Sequence, residues 1–345
     1  MVIFDLKPSA ALHVGEFVGI ERESVLAHIP SDTLFAAMVT AWQRRGADLT
    51  ARLQACQATP PAVWLSSAFP RAGSVRFYPM PMGIRLNFGN QNALEGKTLK
   101  RIQWVSADIF GRLTRFEDVS AERDLATNFL QHKSVWLSRA ERTRLQSEFK
   151  GLFVVGQETS LWDIQIVPRV AVDRATQASN LFHSGRLVFA KGCGLWFMAQ
   201  GIHTDWVSQA LDELQDSGLG GLRSVGHGAF VYTSVTQADV VLPANMAYAI
   251  SLSRYAPNGA AEVGAAVQAR GSAYRLVQVG GWCQDDAGKT WRRKSVRMLA
   301  EGACVGATAA GHIVNVMPNG VMDRPVLRYG LAFKVPVAAQ AMLVH

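Results

Sequence analysis

The sequence contains few cysteines, and their positions argue against two kinds of site. Cys56, Cys193, Cys283 and Cys304 are scattered through a chain of 345 residues. They form no C-x-x-C pair and have no close histidine partner, so the spacing favours neither a zinc site nor a disulfide framework. We therefore expect a protein of the reducing cytoplasm that holds no metal and no other cofactor.

Long apolar runs are also missing. No uninterrupted apolar stretch approaches the ~20 residues that span a bilayer. The first residues, MVIFDLKPSAALHVG, lack the basic-then-apolar layout of a signal peptide. We expect neither a membrane anchor nor export.

The common catalytic patterns are absent as well. The sequence has no G-x-S-x-G serine motif and no H-E-x-x-H zinc helix. Asp5, Asp32 and Asp163 are too isolated to form a two-metal site. No catalytic residue is assigned.

Positive charge and apolar residues are abundant. The formal net charge is +8, which predicts attraction to polyanions such as nucleic acid. Apolar residues make up 49% of the chain, which is ample for packed cores. The length predicts about two domains.

Hydrophobic periodicity predicts the first elements. MVIFDLKPSA alternates apolar and polar residues, as a strand does, whereas SDTLFAAMVTAWQRRG has the apolar stripe of a helix. Ser31 or Asp32 is the expected cap of that helix. A second helix is predicted in TDWVSQALDELQDSG, with Asp205 as its cap and Gly218 as its stop.

The predicted order is strand, helix, strand pair, insertion, strand, helix and strand, which is typical of the split βαβ or ferredoxin-like pattern. Residues 95–150, crowded with charges of both signs, predict a partly helical and well-solvated insertion. From about residue 240 a second β-rich segment begins.

The stretch GLGGLRSVGHGAF, residues 218–230, places five glycines in thirteen positions. A nucleotide-binding loop is excluded because this stretch leaves a helix and enters a strand, the reverse of the nucleotide loops. Two interpretations remain open. The glycines give either an anion-binding concavity, with Arg223 and Ser224 suited to phosphate, or only a tight connection.

Several segments together resemble a known family. They are SDTLFAAMVTAW, LSSAFPRAGSVRFYPMP, KTLKRIQWVS, VPRVAVDRATQASNLFHSGRLVF, the glycine loop, ISLSRYAP, RRKSVRMLAEGACV and RPVLRYGLAFKVPV. Each is weakly specific alone, but their order and spacing are specific together. The chain resembles the RAMP superfamily of CRISPR-associated proteins, and within it the Csm4-type subunits (Cas5 group) of type III-A effector complexes.

The resemblance implies an α+β fold of two ferredoxin-like (RRM-like) domains with a glycine-rich loop and an inserted thumb region. Residues 1–236 would form the first domain, with the insertion at about 95–180. Residues 237–345 would form a degenerate second domain.

The resemblance also implies a non-catalytic subunit of a hetero-oligomeric ribonucleoprotein. It would hold the 5′ handle of the crRNA and bridge a Cas10-type large subunit to a Cas7-type backbone subunit. Carried over by position, the RNA-binding residues would be Gly218, Gly220, Gly221, Arg223, Ser224, Gly226, His227 and Gly228 of the loop, with Arg169, Arg174, Asn180, Leu181 and Phe182 beside the thumb.

Two other functions stay open at this point. Some superfamily members are metal-independent endoribonucleases that process crRNA, and His13, His28 and His227 are the candidate acid–base residues for that reaction. A general basic interaction module is the other alternative. The run from Trp291 to Lys294, an aromatic residue followed by three cations, fits contact with RNA or a partner, or a solvated edge strand.

Overall fold

The computed structural model describes residues 1–17, 23–92, 94–149, 153, 159–173, 175–236, 247–285, 287–321 and 325–342. It contains these α-helices: α1 Ser31–Arg44, α2 Leu49–Gln57, α3 Gly96–Arg101, α4 Ala107–Arg115, α5 Arg139–Glu148, α6 Asp205–Ser217 and α7 Gly259–Glu262. Among the described residues no helix has the length and apolar character needed to cross a membrane.

The strands of the first two thirds are β1 Val2–Pro8, β2 Gly15–Phe17, β3 Glu23–Val25, β4 Trp64–Leu65, β5 Phe69–Ala72, β6 Val75–Pro79, β7 Trp104–Ser106, β8 Phe129–Leu130, β9 Val135–Trp136, β10 Trp162–Val172, β11 Ser179–Phe189, β12 Cys193–Gln200 and β13 Phe230–Val235. The later strands are β14 Tyr248–Ser251, β15 Leu276–Val279, β16 Trp282–Gln284, β17 Thr290–Arg292, β18 Val296–Leu299, β19 Cys304–Gly306, β20 Val314–Asn315, β21 Leu327–Arg328 and β22 Lys334–Val337.

The fold is α+β, as predicted, and is built on one nine-stranded mixed sheet. Its strand order is β13-β1-β12-β5-β6-β7-β9-β8, with β4 paired to the end of β12. The helix predicted between β1 and β5 is α1, and the helix predicted between β12 and β13 is α6. The predicted succession of strand, helix and strand is therefore confirmed for these elements.

The helices α1 and α6 pack together beside this sheet. Trp42 of α1 donates its indole N–H to the Trp206 carbonyl at 2.8 Å, and the two rings meet edge to face. Val207, Ala210 and Leu211 of α6 are buried, as the apolar stripe predicted. Gly218 ends α6 with a φ of +80°, which also agrees with the prediction.

The predicted helix caps are wrong. The cap positions are Pro30 and Thr204, and Asp205 is the first residue of α6. Ser31 and Asp32 lie inside the first turn of α1 and are buried. Their polar groups have partners outside the helix, in the ion network described below.

The prediction that residues 95–150 form a well-solvated insertion is wrong for much of that stretch. Strands β7, β8 and β9 extend the main sheet, and Trp104, Phe110 and Trp136 are buried. Phe110 stacks on Tyr78 with ring centroids 4.4 Å apart. Helices form at both ends, as predicted, and the charges that suggested solvation are interspersed with the apolar residues that face the core.

The last third of the chain adds smaller β structures to the same core. Strands β19, β14 and β22 form a three-stranded sheet, and β15–β18, β16–β17 and β20–β21 form two-stranded ribbons. The Tyr329 ring packs 5.3 Å from Phe35 of α1, and its hydroxyl accepts the backbone N–H of Leu65 at 2.7 Å. Residues before and after position 240 thus share one apolar core.

A buried ion network joins the same two parts. Arg254, 4% exposed, contacts Glu16, Asp32 and Glu301, with Nη1 3.7 Å from Asp32 Oδ1 and Nε 3.6 Å from Glu301 Oε1. Arg328 forms a second ion pair with Asp32. These three carboxylates raise the pKa of Arg254, although its burial acts in the opposite direction.

Neutral and aromatic side chains complete the network. The Ser67 hydroxyl donates to Glu301 at 2.7 Å, and His28 Nε2 lies 3.5 Å from the same carboxylate. The Ser31 hydroxyl accepts the backbone N–H of Arg254 at 3.0 Å. Although burial favours the neutral acid, His28, Arg254 and Ser67 together hold the pKa of Glu301 well below its usual range.

We expect Arg254→Met to lower the free energy of unfolding by about 3–5 kcal/mol, because it leaves buried carboxylates without their cation. Urea denaturation measures this loss. The matched control is Arg297→Met at an exposed arginine of β18, with an expected change within about 0.5 kcal/mol. Equal losses in the two variants would contradict a joining role for Arg254.

We also expect the network to make stability depend on pH at acidic values. Because the pKa of Glu301 is lowered in the folded state, its stabilisation is fully present above the usual glutamate pKa of about 4.3 and is lost as the pH falls toward the lowered pKa. The stability gap between the wild type and Glu301→Gln should therefore stay constant from pH 7 to about pH 5 and shrink as the pH falls below about 4.3. A gap that stays constant below that pH in urea titrations would contradict the assignment.

Candidate nucleic-acid interface

The glycine loop, residues 218–228, is folded by close approach to the segment that follows β1. The Gly221 N–H donates to the His13 carbonyl at 2.8 Å, and the Gly228 N–H donates to the Ala11 carbonyl at 2.9 Å. A Cβ on Gly220 would lie only 2.6 Å from the His13 carbonyl oxygen, and φ at Gly220 is +92°. Glycine is therefore required here by both contact and backbone conformation.

The apex of the loop faces solvent. Residues Arg223–Val225 form one turn of 3₁₀-helix, in which Arg223 and Ser224 are exposed. Gly226 follows with a φ of +86° and open space where a Cβ would be. The two interpretations of the loop thus apply to different residues: its flanks make a tight connection, while its apex presents a cation and a hydroxyl.

His227 lies beneath this apex and is 8% exposed. Burial lowers the pKa of its imidazole, and the positive charges of Arg169 and Arg186 lower it further, as does His13. The Val225 carbonyl lies nearby and partly opposes this shift, but neither ring nitrogen has a partner in hydrogen-bond geometry. These effects favour the neutral imidazole, and His227 lies among cationic groups.

The two arginines that act on His227 come from the hairpin β10–β11. In its register Arg169 pairs with Phe182, and Ala171 pairs with Asn180. Residues directly opposite each other share one face of an antiparallel pair. Arg169, Phe182 and Asn180 therefore lie on one face, and Phe182 is 43% exposed.

Leu181 projects from the opposite face of this hairpin. It pairs with Val170, and the two side chains are 61% and 58% exposed. The structure thus separates Leu181 from its two neighbours, because side chains alternate between the faces of a strand. Arg174 lies outside the described residues.

Two further residues of the interface were not among the predicted RNA contacts. Arg186 lies on the same face as Phe182 and donates to Gln165 at 3.0 Å. His13 connects the loop to the hairpin, because its Nδ1 donates to the Gly185 carbonyl at 2.7 Å. The signal for Arg186 was available in the sequence, since it follows Phe182 by two strand periods.

The interface is positively charged over the residues that the structure describes. Within those residues neither Arg169 nor Arg223 forms an ion pair with a carboxylate. The same part of the chain contains no group of three His, Cys, Asp or Glu side chains arranged to hold a metal ion. The arrangement provides cations for phosphate oxygens and an aromatic face for a base.

His28, the other histidine considered for catalysis, lies in the ion network rather than in this interface. Its side chain is 13% exposed and contacts Glu301. Its ring also meets Trp104 edge to face at 5.4 Å. These contacts give His28 a structural role.

Comparison with known proteins supports the sequence resemblance. The model of the CRISPR Csm4 C-terminal domain family matches residues 244–337. The CRISPR system Cms protein Csm4 of Thermococcus onnurineus is 25% identical over 278 residues, covering 79% of each chain. Its namesake from Mycobacterium tuberculosis is 24% identical over 324 residues, covering 92% of this chain and 91% of the relative.

Solved structures share the fold. A chain of the Csm3–Csm4 subcomplex from the type III-A CRISPR-Cas interference complex superposes with a TM-score of 0.67 and 18% identity, over 98% of this chain and 100% of that chain. A chain of the Csm1–Csm4 cassette in complex with pppApA gives a TM-score of 0.57 and 17% identity, over 98% and 97%. Together the three comparisons confirm the resemblance to the Csm4-type family that the sequence motifs indicated.

Proposed function

We propose that this chain is the subunit of a type III CRISPR interference complex that holds the 5′ handle of the crRNA. In that role it bridges a Cas10-type large subunit to a Cas7-type backbone subunit. The partners named for its structural relatives, Csm3 and Csm1, support the bridging role. The mechanism is positional: the chain grips the common segment of the guide and fixes where the guide begins.

The observation that carries the proposal is the meeting of the glycine loop with the hairpin β10–β11. Sequence segments far apart in the chain converge there, since the His13 carbonyl accepts the Gly221 N–H and the His13 ring donates to the Gly185 carbonyl. Arg223 adds an exposed cation at the apex of the loop. The loop and the hairpin therefore present several cations, and single-stranded nucleic acids bind where positive charges follow the phosphate backbone.

The hairpin is suited to the work of a thumb. Each of its strands has eleven residues, and the side chains near its tip are exposed. Phe182 offers an aromatic face beside Arg169, so a base displaced from the stack has an apolar surface next to a cation for its phosphate. Leu181 and Val170 offer a second apolar surface on the other side.

We infer a ferredoxin-like first domain from the strand order of the main sheet. The connections β1–α1–β5 and β12–α6–β13, with strand order β13-β1-β12-β5, follow the βαββαβ arrangement. We assign residues 1–236 to this first domain, with the insertion at about 95–180, and residues 237–345 to a degenerate second one. Residues 237–246, at the boundary, lie outside the described residues.

We expect Arg223→Ala and Arg169→Ala each to weaken binding of a crRNA that carries its 5′ handle by about 5-fold, and to lower the salt slope by about 1, because each removes a phosphate contact. The matched control is Arg45→Ala, an exposed arginine just after α1. Arg45 belongs to neither the glycine loop nor the hairpin β10–β11. Binding is measured with the full chain, alone and with its Cas10-type partner, against the same RNA with a scrambled handle.

The outcomes separate the alternatives. If the two loop and hairpin variants bind like Arg45→Ala, the loop is only a connector and the proposal fails. Equal affinity for the native and scrambled handles identifies a general RNA-binding module. A discrete cut on a denaturing gel, abolished in His227→Ala, identifies a ribonuclease.

We also expect two glycine variants of the loop to differ. In Gly226→Ala the new Cβ meets open space. The substitution therefore lowers the free energy of unfolding by only about 1–2 kcal/mol, the cost of a positive φ. In Gly228→Ala the new Cβ lies 2.7 Å from the Leu219 backbone nitrogen, so the loop must also move. Handle affinity and the urea midpoint should fall further in Gly228→Ala, and the reverse order would contradict the described loop conformation.

A further inference from the structure

A second basic and aromatic surface lies on the ribbon β16–β17, in the last third of the chain. Trp282 is 63% exposed there. Among the exposed aromatic side chains that the structure describes, this is the largest exposed fraction. It stands directly opposite Arg292 in the register, so the indole and the guanidinium share one face of the ribbon. The pair does not belong to the interface formed by the glycine loop and the hairpin β10–β11.

The other face of the ribbon repeats the combination. Lys289 Nζ lies 4.1 Å from the centre of the Trp291 ring. The Trp291 indole N–H donates to Asp285 at 2.8 Å, which fixes the ring. Each face therefore presents an indole with a cation beside it.

The surrounding segment is strongly basic. Residues 270–297 contain seven lysines and arginines and two aspartates, so they supply most of the formal net charge of +8. Arg275, Arg292, Lys294 and Arg297 are exposed. Within the described ranges none of these four forms an ion pair with a carboxylate.

Hydrogen bonds from two arginines hold the ribbon in place. Arg293 Nε donates to the Trp282 carbonyl at 2.7 Å, and Arg328 Nη2 donates to the Gly280 carbonyl at 2.8 Å. Arg328 is itself fixed by Asp32 in the buried ion network. The backbone of Trp282 is therefore held in place. Less conformational entropy of the protein is then lost when the exposed indole binds a ligand.

We propose that the ribbon β16–β17 and its flanking cations bind single-stranded RNA outside the 5′ handle. Trp282 stacks on an unpaired base, and Arg292 and Lys294 contact the phosphates on either side. This surface goes beyond the proposed handle site and uses none of its residues. Stacking on aromatic rings together with phosphate contacts tolerates any base, so the surface binds without sequence preference.

Charge favours RNA over a protein partner. The centres of protein interfaces are depleted of charged residues, because each charge must be desolvated and paired. Here the exposed indole lies directly opposite Arg292, which is followed in sequence by Arg293 and Lys294. Phosphates supply the balancing charge at the spacing of successive nucleotides.

The test uses fluorescence anisotropy of the full chain with a labelled oligouridine of about 15 nucleotides, which lacks any handle. We expect Trp282→Ala to weaken binding by about 5- to 100-fold, whereas Trp282→Phe keeps an aromatic face and most of the affinity. The double variant Arg292→Ala/Lys294→Ala should reduce the salt slope by about 1.4. Ile202→Ala, at a side chain that is 83% exposed between β12 and α6, is the matched control and should bind like the wild type.

Two measurements distinguish this surface from the handle site. Arg223→Ala should retain oligouridine binding, and Trp282→Ala should retain the preference for the native over the scrambled handle. Unchanged oligouridine binding in both Trp282→Ala and the double variant, with an unchanged urea midpoint, overturns the proposal. Unchanged oligouridine binding with lost assembly with the Cas10-type or Cas7-type partner identifies a protein interface instead.

Discussion

The ion pairs between Arg254 and its three carboxylates hold the two parts of the chain together. A buried charge without a partner is strongly unfavourable, so Asp32, Glu301 and Arg254 are stable only when all three are in place. Asp32 comes from the first turn of α1, whereas both partners come from beyond residue 250. The first helix, the later strands and the ribbon anchored through Arg328 therefore have one mutual arrangement that satisfies every charge.

Elements set by local pattern could be predicted from the sequence, but this network could not. The strand β1 and the helices α1 and α6 have regular periodicity, and their apolar stripes are buried as expected. Ser31 and Asp32 had the composition of a helix cap, yet the partners of their side chains are more than 200 residues away in the sequence. Charge density also misled for residues 95–150, because a count of charges does not show which face of a helix carries them.

The segments that form the candidate site could be predicted from the sequence. Which of their side chains share one surface could not. The loop and the hairpin were both identified from the resemblance, but strand register decides which side chains point the same way. It places Phe182 with Arg169 and moves Leu181 to the other face. It also brings in Arg186, whose position follows from counting by two along β11.

The short ribbon β2–β3 contacts two separate parts of the molecule. Val25 at one end occupies the space beside Gly185, midway along β11 of the hairpin β10–β11. Glu16 on the other strand is a partner of Arg254. Because both strands belong to one ribbon, the position of the hairpin β10–β11 is coupled by direct contact to the buried ion network.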